Sequence, residues 1–236
     1  MTVNNFNSEN YRLTEIKENL DKMGVYPLDV MITGVTGAGK STTLNTLFNK
    51  EVASVGLGCD PMTMNLDAYN LHGQLRLWDT PGLGDGINQD KIHSKKLIDL
   101  LHKTYVSSSK THGFIDMVII VIEGSNRDMG TTFQLIIDVI LENIEPERVV
   151  IAINKADMAK KGRGWDSQNN EPTQGLEDFL EAQAEAIKIR IKASCGIDIK
   201  KPVYYSADNH YNIQSFMDAI IDAMPLSRRN LLLHSA

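Results

Sequence analysis

Cysteine is nearly absent: the chain has two in 236 residues, Cys59 and Cys195, with no Cys-x-x-Cys pair. This excludes a disulfide framework and a zinc knuckle and points to a reducing, cytoplasmic setting. Long apolar runs are missing as well. The most apolar stretch, 117–122, is six residues, whereas a membrane-spanning helix needs about 20. Residues 1–10 are polar and carry no charged-then-apolar leader pattern. There is no excess of positive charge: 24 Lys and Arg stand against 30 Asp and Glu, a formal net charge of −6. That argues against a broad electrostatic footprint for DNA or RNA. The six histidines are scattered without metal-ligand spacing. What remains is 42% hydrophobic and 23% charged, which excludes a disordered chain, a collagen or a coiled-coil rod and suits one globular domain.

Helical spacing of Tyr11, Leu13, Ile16, Leu20 and Met23 predicts an N-terminal helix over 8–23, stopped by Gly24 and Pro27. From Leu28 onward, strand-like and helix-like segments alternate. Short apolar runs at 30–33, 117–122, 149–153 and 203–205 read as buried strands, and 67–72 with 74–79 as a hairpin about Gly73. Helices are predicted over 40–49, 91–105, 131–143, 176–193 and 213–224, with Gly196 and Pro225 as stops. Such alternation predicts an α/β fold: a mostly parallel sheet with helices on both faces. Ligands of such sheets sit at the carboxyl ends of the strands.

The motifs fall at those ends. Gly34-Val35-Thr36-Gly37-Ala38-Gly39-Lys40-Ser41 follows a strand and opens a helix, matching G-x-x-x-x-G-K-[ST]. Glycines let the backbone wrap an anion, and the N–H groups of Gly37 through Lys40 can point at a β-phosphate, helped by the helix N-terminus. Lys40 adds a point charge on the β and γ oxygens, and Ser41 is placed to ligate Mg²⁺. Asp79-Thr80-Pro81-Gly82 ends another strand, 39 residues after Lys40. Asp79 can hold Mg²⁺ through a water, and the Gly82 N–H can sense a γ-phosphate. Asn154-Lys155-Ala156-Asp157 ends a third strand. A carboxylate at Asp157 can accept hydrogen bonds from N1–H and the N2 amino group of guanine, while adenine presents no such pair of donors. The Lys155 stem can cover one face of the base, and backbone N–H groups of Ser206 and Ala207 would complete the pocket.

Together these motifs resemble the translation-factor class of GTPases, and within it the Era-like GTPases, especially bacterial, often prophage-borne GTPase family proteins. The resemblance spans about residues 28–224. It also rests on Cys59-Asp60-Pro61-Met62-Thr63 and on Gly164-Trp165-Asp166. It implies a P-loop NTPase fold: a three-layer sandwich on a six-stranded, mostly parallel sheet with five helices and one antiparallel edge strand. Residues 1–27 would be an N-terminal extension and 225–236 a tail that docks on the body or on a partner. The implied ligands are GTP or GDP and Mg²⁺. The implied nucleotide contacts are Gly34, Gly37, Ala38, Gly39, Lys40, Ser41, Thr42, Asn154, Lys155, Asp157, Ser206 and Ala207. The implied metal ligands are Ser41, Thr63 and Asp79.

Two features depart from the family's catalytic devices. Where some members carry a water-orienting glutamine after Asp-x-x-Gly, this chain has Leu83; where others carry a potassium-holding asparagine in the phosphate loop, it has Gly37. The expectation is slow intrinsic hydrolysis with Lys40, Thr63 and Gly82 at the phosphates. Arg127 matches a position where related receptor GTPases face a partner subunit, and it could complete a neighbouring site in a nucleotide-dependent homodimer. A protein effector or activator is the other route, with the 84–113 segment, read as a mobile second switch and extended helix, as its surface. The alternative is a GTP-dependent assembly module of negligible turnover, associated with a filament, membrane or ribosome.

Overall fold

Seven consecutive buried residues make the first strand, because apolar side chains there face both ways into packed helices. The computed structural model describes residues 10–24, 26–48, 68–71, 73–107, 109–125 and 129–229. In chain order the elements are α1 (Leu13–Met23), β1 (Leu28–Gly34), α2 (Lys40–Phe48), β2 (Ala68–Leu71), β3 (Leu75–Asp79) and α3 (Ile87–His102). There follow β4 (Thr104–Ser107), β5 (Lys110–Gly113), β6 (Met117–Glu123), α4 (Gly130–Gln134) and β7 (Val149–Asn154). The chain then forms β8 (Trp165–Asp166), β9 (Glu171–Pro172), α5 (Gln174–Cys195), β10 (Val203–Tyr204) and α6 (Ile213–Ile221).

The main sheet runs β10-β7-β6-β1-β3-β2. It is parallel except for β2, which pairs antiparallel with β3 at the edge. Strand alternation divides the core in two. Val30, Ile32, Ile119 and Val121 face α1, α2 and α6. Met31, Val118, Ile120 and Ile122 face α3, α4 and α5. The register sets Gly34 beside Val121, and a Cβ at Gly34 would lie 2.2 Å from the Val121 carbonyl oxygen, so only glycine admits this approach.

Helix α1 packs into the first of these layers through Ile16, Leu20 and Met23, and Gly24 (φ 65°) ends it in the left-handed region. Arg12 bridges it to Asp218 and Asp222 at 2.8 and 2.7 Å. Those pairs are solvent-facing and add little; the buried apolar face holds the helix. Among the described residues no helix is long and apolar enough to cross a membrane.

Several expected boundaries are corrected. The helix expected over 91–105 begins at Ile87 and stops at His102; Lys103 is extended, and β4 and β5 form a separate hairpin. Within 84–113, read as a second switch and an extended helix, the described residues form the 16-residue α3 and the β4–β5 hairpin. The helix expected over 131–143 is α-helical at Gly130–Gln134 and continues as a π-helix over Leu135–Leu141. The last strand ends at Tyr204 and the last helix at Ile221.

A charged cluster lies at the amino ends of β1 and β6. Asp29 receives both arms of Arg76, at 2.5 and 2.8 Å, and the Trp78 indole N–H at 2.7 Å. Asp116 is buried beside it, and burial pushes its carboxyl up to about 7. The tail crosses here: Arg148 donates to the carbonyls of Asp116 and Ser227, and the Gly113 N–H donates to the Arg229 carbonyl. Between about pH 4 and 7 the folded protein keeps an Asp116 proton that the unfolded chain has released, so stability falls as pH rises through that window. Each unit of difference is worth about 1.4 kcal/mol. Asp116→Asn cannot ionise and will flatten that fall, checked by urea unfolding at pH 5 and pH 8. Equal pH slopes in both proteins would clear Asp116 of the effect.

Candidate nucleotide site

The loops that carry the motifs converge at the carboxyl ends of β1, β3, β7 and β10. The first wraps from β1 into α2. Gly37 and Gly39 have φ of 83° and 88°, a region L side chains avoid. At Gly39 a Cβ would stand 2.4 Å from Asn154 Nδ2. Lys40 opens α2 and Ser41 and Thr42 follow on its first turn. Burial draws the Lys40 ammonium below the usual lysine range, against the pull of Asp79 and Asp85. A partly dried ammonium of this kind gains from an added anion.

The second loop leaves β3 at Asp79. Thr80 Oγ1 donates to the Ile32 carbonyl at 2.8 Å and fixes the turn. Gly82 lies so close to the phosphate loop that a Cβ there would be 2.7 Å from Thr36 N and 2.9 Å from Lys40 Nζ. Leu83 is fully buried. Its N–H donates to the Gly34 carbonyl at 3.3 Å and its carbonyl accepts from the Thr36 N–H at 2.6 Å. Two α3 side chains brace the loop: Asp90 Oδ1 accepts from the N–H groups of Gly84 and Asp85 at 2.7 and 3.1 Å, and His93 Nδ1 lies 2.7 Å from the Gly82 carbonyl. Neither was singled out in the sequence; Asp90 precedes the expected helix start and His93 resembles the other scattered histidines.

Leu83 carries no polar group, and its side chain belongs to the core beside Met31, Trp78 and Leu97. Leu83→Gln would bury an amide there. We expect it to lose about 1–3 kcal/mol of stability and to leave single-turnover hydrolysis of GTP no faster. A tenfold faster turnover would place that side chain at the phosphates instead.

The third loop leaves β7 at Asn154, which is 2% exposed. Its Nδ2 donates to the Ala38 carbonyl and its Oδ1 accepts from the Ala207 N–H, both at 3.0 Å. Lys155 sits at φ 57°, with its Cε 3.9 Å from the Cβ position of Gly39 and its Nζ 3.2 Å from Glu123. Asp157 is half-buried in a 3₁₀ turn at Ala156–Met158. The fourth loop follows β10. The Ser206 N–H donates to the Tyr211 carbonyl at 3.1 Å and the Ala207 N–H to Asn154. Both groups, expected to face a base directly, are committed within the protein. Tyr205 bonds Thr43 Oγ1 at 2.7 Å, and Thr46 Oγ1 donates to the Ala207 carbonyl at 3.0 Å, so α2 is bolted to this loop. An open pocket of about 290 Å³ lies between them, lined by Thr42, Asn45, Thr46, Ala207, Asp208 and His210.

Thr63 with its Cys59-Asp60-Pro61-Met62 context, and Arg127, lie outside the described residues. The donors that are described fit a polyphosphate and Mg²⁺. Gly37, at φ 83°, has open space beside its Cα where a Cβ would project, and the Ser41 hydroxyl and Asp79 carboxylate are hard oxygen donors. Mg²⁺ is commonly held by one or two such groups plus phosphate oxygens and water. Among the described residues no three of His, Cys, Asp or Glu form a metal-sized cluster.

Six strands with one antiparallel edge, helices on both faces and these four loops define a P-loop G domain. The chain belongs to the 50S ribosome-binding GTPase family, whose profile matches residues 29–155, more than half of it. It is similar to Septin-8-B of Xenopus laevis, 39% identical over 87 residues, which is 33% of this chain and 20% of that protein. The match thus spans about a fifth of that relative. Toc33 from Arabidopsis thaliana, in complex with GDP and Mg²⁺, has a similar structure: TM-score 0.60, 17% identity, 94% of each chain covered. Era in complex with MgGDPNP and nucleotides 1506–1542 of 16S ribosomal RNA aligns at TM-score 0.51 and 18% identity, covering 85% of this chain and 58% of that one. At these identities the structural likeness concerns the fold.

Proposed function

We propose that residues 28–224 form a G domain that binds GTP and GDP with Mg²⁺ and slowly hydrolyses GTP to GDP and phosphate, as a cytoplasmic switch of the Era-like kind. The observation that carries this reading is Asn154, whose one amide ties the phosphate loop to the Ser206–Ala207 loop. Under this reading, that amide couples the loop that would hold the triphosphate to the loop that would flank the base. Lys40 and the glycine-loop N–H groups would bind the β- and γ-phosphates. Asp157 would accept from guanine, and Lys155 would cover its face. The Gly82 N–H would report the γ-phosphate to the loop that α3 braces. Ser41, Asp79 and Thr63 would hold Mg²⁺, which would supply positive charge against the phosphates. In the reaction, water attacks the γ-phosphorus, the β–γ bridging bond breaks, and GDP leaves.

With Leu83 in the core, another group must complete turnover. Arg127, offered across a nucleotide-dependent homodimer, is our candidate; an arginine in this role is worth about 10³–10⁵ in rate in favourable cases. The same buried Leu83 favours a second reading, in which GTP is an assembly ligand with negligible turnover. Hydrolysis per molecule, measured over a wide range of protein concentration with ATP as control, separates the two. Specific activity that climbs with concentration supports the homodimer. Activity that stays flat and very low while GTP binds supports the assembly module or an external activator. Absence of guanine nucleotide binding would overturn both.

A further inference from the structure

Beyond the four loops, a short hairpin sits against the base side of the site. Strands β8 and β9 pair Trp165 with Pro172 and Asp166 with Glu171. Its turn is built by Asp166, which accepts from the N–H groups of Gln168 and Asn169 at 2.8 and 3.2 Å and from Asn169 Nδ2 at 2.8 Å. Its base is closed by Gly164 (φ 89°), whose carbonyl accepts from the Thr173 N–H at 2.7 Å.

The hairpin touches both loops assigned to the base. Trp165 is half-buried against Ala156, Ala159, Leu176 and Leu180, the apolar cluster beneath the Asp157 turn. Its ring also meets Tyr211 edge-on, with centroids 5.2 Å apart and planes at 88°. Tyr211 exchanges two backbone hydrogen bonds with Ser206, at 3.1 and 3.0 Å. Asn170 Nδ2 donates to the Asn209 carbonyl at 2.7 Å. Asn209 in turn donates twice to Ser206 Oγ, at 3.2 and 3.1 Å. The Ser206–Ala207 loop is thus held from the phosphate side by Asn154 and Thr46, and from the outside by this hairpin.

We propose that the β8–β9 hairpin is a clip that sets affinity for the nucleotide base, with Trp165 and Asn170 as positioning residues. The proposal rests on the reading that Asp157 and the Ser206–Ala207 loop enclose a guanine. The clip acts on the spacing of two base loops, while Asn154, β3 and α3 hold the phosphate side. Its loss therefore weakens GDP and GTP by one common factor and raises KM, and kcat at saturating GTP stays near the wild-type value.

Calorimetric titration with GDP and with a non-hydrolysable GTP analogue tests this in the full chain. Trp165→Ala should weaken both by about tenfold, the scale of one lost aromatic contact. Trp165→Phe keeps an edge for Tyr211 and should restore most of the affinity. Should Trp165→Ala not fold, Asn170→Ala carries the test; its side chain is exposed, and a common loss of about threefold is expected for one hydrogen bond. Folded variants that bind both nucleotides as tightly as wild type would overturn the clip, as would a loss confined to kcat. Wild-type protein that binds no GDP would overturn the guanine reading beneath it.

Discussion

Asp157→Asn will lower GTP affinity by about 10³-fold or more and will raise affinity for xanthosine triphosphate. Under the proposed function, the carboxylate would accept from two donors on guanine, N1–H and the N2 amino group. An asparagine amide turns one acceptor into a donor and sets it against a donor. A site built for specific hydrogen bonds can reject the wrong pattern by about 10⁴–10⁵, because an unmatched buried polar group forfeits its hydration without return. Xanthine carries a carbonyl oxygen where guanine carries N2, so the new amide donor finds an acceptor there. Competition titration with GTP, XTP and ATP reads all three. The turn itself should survive, since it is set by backbone: the Ala156 N–H donates to the Tyr205 carbonyl at 3.0 Å and the Met158 N–H to the Lys155 carbonyl at 2.9 Å. Unchanged GTP affinity in a folded variant would remove Asp157 from the base site.

The strands were legible because burial on both faces leaves a continuous apolar run, as in Met117–Glu123 and Val149–Asn154. The phosphate loop was legible because only glycine tolerates its close approaches, and those glycines stand at fixed spacing. The β4–β5 hairpin was hidden for the opposite reason. It is mostly exposed and polar, so no core face imprints a period of two. Its turn includes Ser109 at φ 63°, where glycine or asparagine would have signalled the reversal. The π-helical half of the helix after β6 left no trace, since Leu135–Leu141, apolar but for Asp138, suits any helical form.

At the site, the motifs named the residues of the four loops but not which of them serve the protein itself. Asn154 reads as a base contact, yet both ends of its amide are spent on protein backbone. Leu83 reads as a missing catalyst, yet its burial makes it a structural residue that draws the Gly82 loop onto the phosphate loop. Both surprises follow from one physical fact. A loop that must hold a charged ligand needs its own polar backbone satisfied first, and distant residues do that work without a linear motif. Asp90 and His93 brace the Gly82 loop in the same way from α3.

Asn154→Ala is the sharpest test of that division. The side chain is almost fully enclosed, and its removal strands the Ala38 carbonyl and the Ala207 N–H in a dry interior. Leaving buried polar groups unmatched costs about 1–3 kcal/mol, so urea unfolding of the nucleotide-free variant should show a loss of that order. The loss of binding should be larger still. Without its shared anchor, the phosphate loop and the base loop must be ordered separately by the ligand, and affinity for GDP and GTP should fall by about 100-fold, the sum of two such penalties. The hydrolysis step should also slow, because Gly39 and Lys40 move with the phosphate loop. That sets it apart from Trp165→Ala, in which only the base side loosens. Asn154→Asp should be no better: it keeps an acceptor for Ala207 but turns a second acceptor toward the Ala38 carbonyl. If Asn154→Ala retains both stability and GDP affinity, the loops are organised independently, and the amide that joins them is incidental to the site.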